Sequence, residues 1–141
     1  MNTPNKYLEF ENPTVLKFDF QVNDDFDFDD TIDDTDISTL VEMPTEDEID
    51  FNESIPVYLT IFINYENDNS PYKITARILS LFKVSDLLPQ EDALQVLQDE
   101  GASILLSYLR PMVSMMTAAS GFSAMTLPML DFSDDDEDEE D

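Results

Sequence analysis

Between Ile55 and Tyr65 apolar side chains fall on both sides of a period-two pattern. This stretch limits the chain to folds that cover a strand on both faces, by helix, partner chain or ligand. Ile55, Val57, Leu59, Ile61 and Ile63 make one aliphatic side, and Tyr58, Thr60 and Phe62 make the other, more aromatic side. The run Glu66 to Pro71 (ENDNSP) is turn chemistry. Tyr72 to Val84 then reads as the return strand of a hairpin. Its Ile74, Ala76, Ile78, Phe82 and Val84 face one way, and Lys73, Thr75, Arg77, Leu79, Leu81 and Lys83 face the other. Three of the six cations of the chain fall on that second side.

Earlier in the chain, Thr14 to Val22 alternates, with Leu16, Phe18, Phe20 and Val22 opposite Lys17, Asp19 and Gln21, so a half-buried strand is expected. Phe26, Phe28 and Ile32 against Asp25, Asp27 and Asp29 permit an acidic second strand. Residues 33–50 contain Pro44 and few large apolar side chains, and most of this stretch is expected to be an acidic loop or insertion. Pro89, with Glu91 and Asp92 in the first turn, opens a predicted helix that Gly101 weakens or ends. A second helical pattern follows in Leu105, Leu109, Met112 and Met116, with Pro111 inside it and Gly121 as its stop. Strands first and helices last argue for an α+β fold, an antiparallel four-stranded β-meander followed by helices packed on one face. Residues 1–133 are expected to form one domain, and 134–141 a disordered acidic tail.

Composition excludes several function classes. The chain has 141 residues, no Cys and no His, so it offers no disulfide, no thiolate nucleophile and none of the commonest general base. Its net charge is −27, and without the eight terminal acids six bases against 25 acids still leave −19. Such a surface repels nucleic acid and anionic membranes and favours basic partners. Neither a signal peptide at Met1 to Phe10 nor a membrane-crossing segment is expected. A reducing cytoplasm fits the absence of Cys. Asp25, Asp27 and Asp29 have the first spacings of a calcium loop, but Asp30 replaces its glycine and Asp36 its final glutamate. No metal or cofactor is therefore expected.

Three short motifs resemble the SecB export chaperones. Phe10-Glu11-Asn12-Pro13 resembles the family's Phe-Glu-x-Pro, and Ile104-Leu105-Leu106-Ser107-Tyr108-Leu109-Arg110 resembles its Ile-Leu-Phe-Pro-Tyr-Ala-Arg segment. Gly121-Phe122 and Leu127-Pro128-Met129-Leu130-Asp131-Phe132 resemble its ending. The resemblance implies a non-enzymatic, cytoplasmic protein, a dimer or tetramer, that holds unfolded polypeptides in hydrophobic grooves. It also implies transfer to the SecA motor through acidic residues on the sheet. Glu11 matches such a contact, but Tyr7 and Arg77 depart from the pattern. Pro111 follows the Tyr-x-Arg segment instead of preceding it, and Asp134 to Asp141 replace a C-terminal helix. Relatives attached to toxin–antitoxin systems are also similar.

On this reading the groove candidates are Phe18, Phe20, Tyr58, Phe62, Tyr108, Met112, Met115, Met116 and Phe122. The acidic partner-contact candidates are Glu11, Asp25, Asp27 and Asp29. Met-rich surfaces suit promiscuous binding, although apolar helical spacing more often means core. Phe18, Phe20, Tyr58 and Phe62 line either a peptide groove or a dimer interface. Two other functions fit the composition: an acidic mimic of nucleic acid that blocks a DNA- or RNA-binding protein, and a scaffold that binds no clients.

Overall fold

The expected hairpin is the centre of the sheet. Strand β4 (Ile55–Ile63) pairs antiparallel with β5 (Tyr72–Val84), with Ile55 opposite Phe82 and Ile63 opposite Ile74. The computed structural model describes residues 7–26, 35–66 and 69–132. Asn64 closes β4 in the left-handed region at φ 60°, a conformation that Asn tolerates better than most residues. Its side chain accepts the Asp36 N–H at 3.1 Å and donates to the Tyr72 carbonyl at 3.1 Å, tying the ends of three strands together.

The other strands lie on the two edges. β1 (Leu8–Phe10) and β2 (Thr14–Val22) both pair antiparallel with β5, one after the other along the same side. Pro13 has no N–H to give to a ladder, and the edge breaks there. Ser80 Oγ donates to the Glu11 carbonyl at 2.5 Å and holds the break against β5. β3 (Ile37–Glu42) forms the opposite edge, on β4. The order β1/β2–β5–β4–β3 is thus a Greek key, in which a long connection carries the chain from one edge of the sheet to the other. Five strands replace the four expected: β2 matches the first of them, whereas β1, ahead of Pro13, was not expected. A strand also occupies Ile37–Glu42, where a loop was expected. Phe26 is buried in the turn after β2, and the rest of the expected acidic second strand lies outside the described residues.

The helical layer is one continuous run: α1 (Gln90–Val96), a π-helical turn at Leu97–Gly101, and α2 (Ala102–Ala119). Gly101 does not stop it. This glycine is buried with helical φ −61°, and a methyl built on it would lie 3.6 Å from the Phe82 ring. That is ordinary van der Waals contact, so tertiary packing overrides the weak helix propensity of glycine. Gly101→Ala is accordingly expected to stabilise the protein by about 0.5–1 kcal/mol, read as a melting temperature a few degrees higher. Pro111 sits exposed within α2. The helix ends in a Schellman motif, with Phe122 N–H on the Thr117 carbonyl and Gly121 at φ 96°.

The core lies between these layers. The inner side of the sheet gives Val57, Leu59, Ile61, Ile74, Ile78 and Phe82, and α2 gives Leu105, Leu106, Leu109 and Val113, all essentially without exposure. After Gly121 the chain runs back along α2, and Leu127 and Phe132 join the same core. Among the described residues no helix is long and apolar enough to cross a membrane.

Candidate functional site

The buried stripe of α2 divides its remaining surface into two flanks. Tyr108, Met112, Met115 and Met116 recur at spacings of three and four and share one flank. That flank faces β1, because the Tyr108 ring meets the Phe10 ring edge-on at 6.2 Å. Met112 is half-buried, whereas Tyr108, Met115 and Met116 are 40%, 70% and 37% exposed. The inner side of β2 continues this surface. Register places Val15, Phe18, Phe20 and Val22 opposite Ile78, Ala76, Ile74 and Tyr72, so these four point to the helical side. A bulge at Leu16 shifts the parity, and Val15 rather than Leu16 joins the inner row. Phe20 stacks on Tyr72 at 5.3 Å, and Phe122 meets Tyr72 at 4.9 Å and Phe20 at 6.2 Å. The structure therefore gathers seven of the nine groove candidates, Phe18, Phe20, Tyr108, Met112, Met115, Met116 and Phe122, on the helical side of the sheet. It adds Tyr72 and Val15, which the sequence reading missed.

The other two candidates lie elsewhere. Tyr58 and Phe62 occupy even positions of β4, and the odd positions carry the core, so both project from the opposite face of the sheet. The acidic candidates are also dispersed. The Glu11 N–H bonds the Leu81 carbonyl, and Asn23, two residues before Asp25, bonds the Pro71 carbonyl. Those points lie ten residues apart on β5, about 33 Å. Asp25 lines a cleft of about 480 Å³ with Phe26, Asn69 and Lys73. Asp27 and Asp29 lie outside the described residues.

The second flank of α2 is covered. Arg110 lies about 200° around the helix from Tyr108, and Thr117 lies two turns beyond Arg110 on the same side. Arg110 Nε donates to the Leu127 carbonyl at 2.8 Å, and Arg110 Nη1 approaches Met129 Sδ at 3.2 Å. The Met125 N–H donates to Thr117 Oγ1 at 2.8 Å, and that hydroxyl in turn donates to the Val113 carbonyl at 2.8 Å. Neither Arg110 nor Thr117 was singled out from sequence. For Thr117 a signal existed, since it falls four residues after the buried Val113.

Asp131, further along the returning segment, lies close enough to Asp99 for their carboxylates to repel. Burial first, and the Asp131 charge second, push the Asp99 pKa up. A carboxyl whose folded pKa exceeds its unfolded value opposes folding when ionised, and that opposition fades as pH falls through the folded pKa. Asp99→Asn should therefore raise the melting temperature at pH 7, with the gain vanishing below the ordinary carboxylate range.

The model of the preprotein translocase subunit SecB family matches residues 2–134 of this sequence. The chain belongs to the SecB family. A structure of the Mycobacterium tuberculosis SecB-like chaperone Rv1957, in complex with a ChAD peptide from the Rv1956 HigA1 antitoxin, shares this fold. It has a TM-score of 0.61 at 15% identity over 88% of each chain. A Streptococcus agalactiae protein of unknown function aligns with a TM-score of 0.48 and 12% identity, over 86% of this chain and 96% of the other. No curated protein matches the sequence.

The outer sheet face of this SecB-family chain carries both signs of charge, with Glu9, Asp19 and Glu42 on it. Register places Lys17, Lys73, Arg77 and Lys83 on it together. Arg77 lies over the Tyr58 ring at 4.5 Å and pairs with Glu42 at 3.3 Å. Leu40, Phe62, Leu79 and Leu81 share this face.

Proposed function

We propose that this SecB-family chain is a polypeptide-binding chaperone that holds extended, apolar segments of unfolded proteins and catalyses no reaction. One observation carries the reading. The Tyr108–Met116 flank and the inner row of β2 form an apolar surface beside a strand that, among the described residues, pairs with β5 on one side only. An extended segment laid there hydrogen-bonds to the strand edge through its main chain and buries its apolar side chains on Met and aromatic surface. Burying one large apolar side chain contributes about 1.5–3 kcal/mol, so three or four anchors suffice for micromolar binding after the cost of ordering. The peptide complex of the Mycobacterium tuberculosis relative supports the same class of ligand.

The acidic surface keeps a loaded complex soluble and speeds capture of basic segments, which is how we account for the net charge of −27. No nucleotide or metal is needed. We place the protein in the cytoplasm, as a homo-oligomer whose copies meet along part of the same apolar surface.

The test is light scattering from a heat-aggregating client, citrate synthase, with stoichiometric protein present. Suppression is expected, and it should weaken when Met115 and Met116 are both replaced by Ser. Undiminished aggregation with the unaltered protein rejects the chaperone reading. If the double substitution changes the mass in solution and leaves suppression intact, the flank is an interface between copies instead.

A further inference from the structure

The covered flank of α2 is built to hold a main chain. Arg110 and Thr117 contact the returning segment through backbone atoms, the Leu127 carbonyl and the Met125 N–H. Every polypeptide offers a carbonyl, and every residue but proline an N–H, so these contacts do not depend on sequence. The Thr117 hydroxyl is fully buried and fixed by its bond to Val113, so its accepting lone pair is aimed in advance. The segment's apolar anchors are Leu127 and Phe132, five residues apart, both sunk into the sheet–helix core. The segment that carries them is held on the Arg110–Thr117 flank of α2, about 200° around the helix from Tyr108. An extended chain held by backbone hydrogen bonds and spaced apolar anchors is the arrangement used for peptide recognition.

Charge opposes the closed position of the segment. It is anchored through the helix end at Gly121, and beyond Phe132 the sequence carries eight consecutive acids on a chain that is already strongly acidic. Repulsion between those acids and the body opposes closure. The Asp131 and Asp99 carboxylates add to it locally.

We infer that the Arg110–Thr117 flank is a second binding site for extended apolar polypeptide, and that residues 123–132, beyond Phe122, are its resident occupant, displaced when a client enters. This rests on the polypeptide-binding reading above, and it adds a site and a competition to it. Displacement taxes client affinity by the fraction of molecules whose flank is open.

The test uses the full chain, the full-chain variant Leu127→Ser/Phe132→Ser, and a synthetic peptide of residues 123–132. The probe is fluorescein-labelled, reduced and carboxamidomethylated α-lactalbumin, read by anisotropy. The variant should bind the probe about tenfold more tightly than the unaltered chain, as expected when a mostly closed site is freed. The synthetic peptide should compete with the probe on the variant. A second measurement needs no substitution: amide exchange at Met125 should accelerate on adding probe to the unaltered chain, while β4 amides stay protected. If the unaltered chain binds the probe, the variant binds it no more tightly, the peptide does not compete and Met125 stays protected, the second site is overturned and the chaperone reading stands. If neither protein binds the probe, both fall.

Discussion

Phe82→Ala is expected to remove about 4 kcal/mol of stability, a large part of what a domain of this size possesses. The ring is fully buried where the sheet, the edge strand and the helical run meet. It lies 5.7 Å from the Phe10 ring, and the Gly101 backbone packs directly on it. No neighbour can fill the space. Phe10 is held by its own strand pairing opposite Phe82, and glycine has no side chain to extend. Urea unfolding followed by circular dichroism should show a midpoint lower by about 2 M. Phe82→Leu keeps most of the volume and should cost less than about 1.5 kcal/mol. Equal losses from the two substitutions would mean that the ring's shape, and not the void, sets the cost.

Leu127→Ala should produce an effect of similar size but different reach. Leu127 is fully buried, and truncating it costs about 3 kcal/mol. The segment that carries it belongs to no strand or helix, and its contacts with α2 include the Arg110 and Thr117 bonds. The loss should therefore appear as local detachment. Amide exchange at Met125 is expected to rise about a hundredfold, and exchange at Leu59 and Ile61 in the centre of β4 far less. Uniform acceleration through the chain would show that 123–132 opens only with global unfolding.

What could be read from sequence follows the strength of local patterns. The β4–β5 hairpin is visible because two alternating runs flank a turn, and both strands appear within a residue or two of the expected bounds. Gly121 ends α2 as expected, since only a left-handed residue completes that cap. β3 is not visible. Its inner row of Ile37, Thr39 and Val41 holds only two aliphatic side chains in an acid-rich stretch, and its pairing with β4 supplies what its own composition lacks. Helix continuity through Gly101 depends on Phe82, nineteen residues earlier.

The groove candidates divide at a similar point. The parity of each strand is legible, but the side of the sheet on which Tyr58 and Phe62 lie relative to Phe18 and Phe20 depends on inter-strand register. The Leu16 bulge changes that register within β2. The Arg110–Thr117 contacts with the returning segment are tertiary, and no spacing in the sequence announces them.

The interrupted edge has a consequence for self-association. Pro13 breaks hydrogen bonding ahead of β2 and the bulge at Leu16 breaks its rhythm, so an incoming strand finds an even ladder only over Lys17–Val22. Six residues span about 20 Å, long enough to grip a passing segment and too short to template endless stacking of one copy on the next. The β2 edge is thereby kept from seeding fibrils.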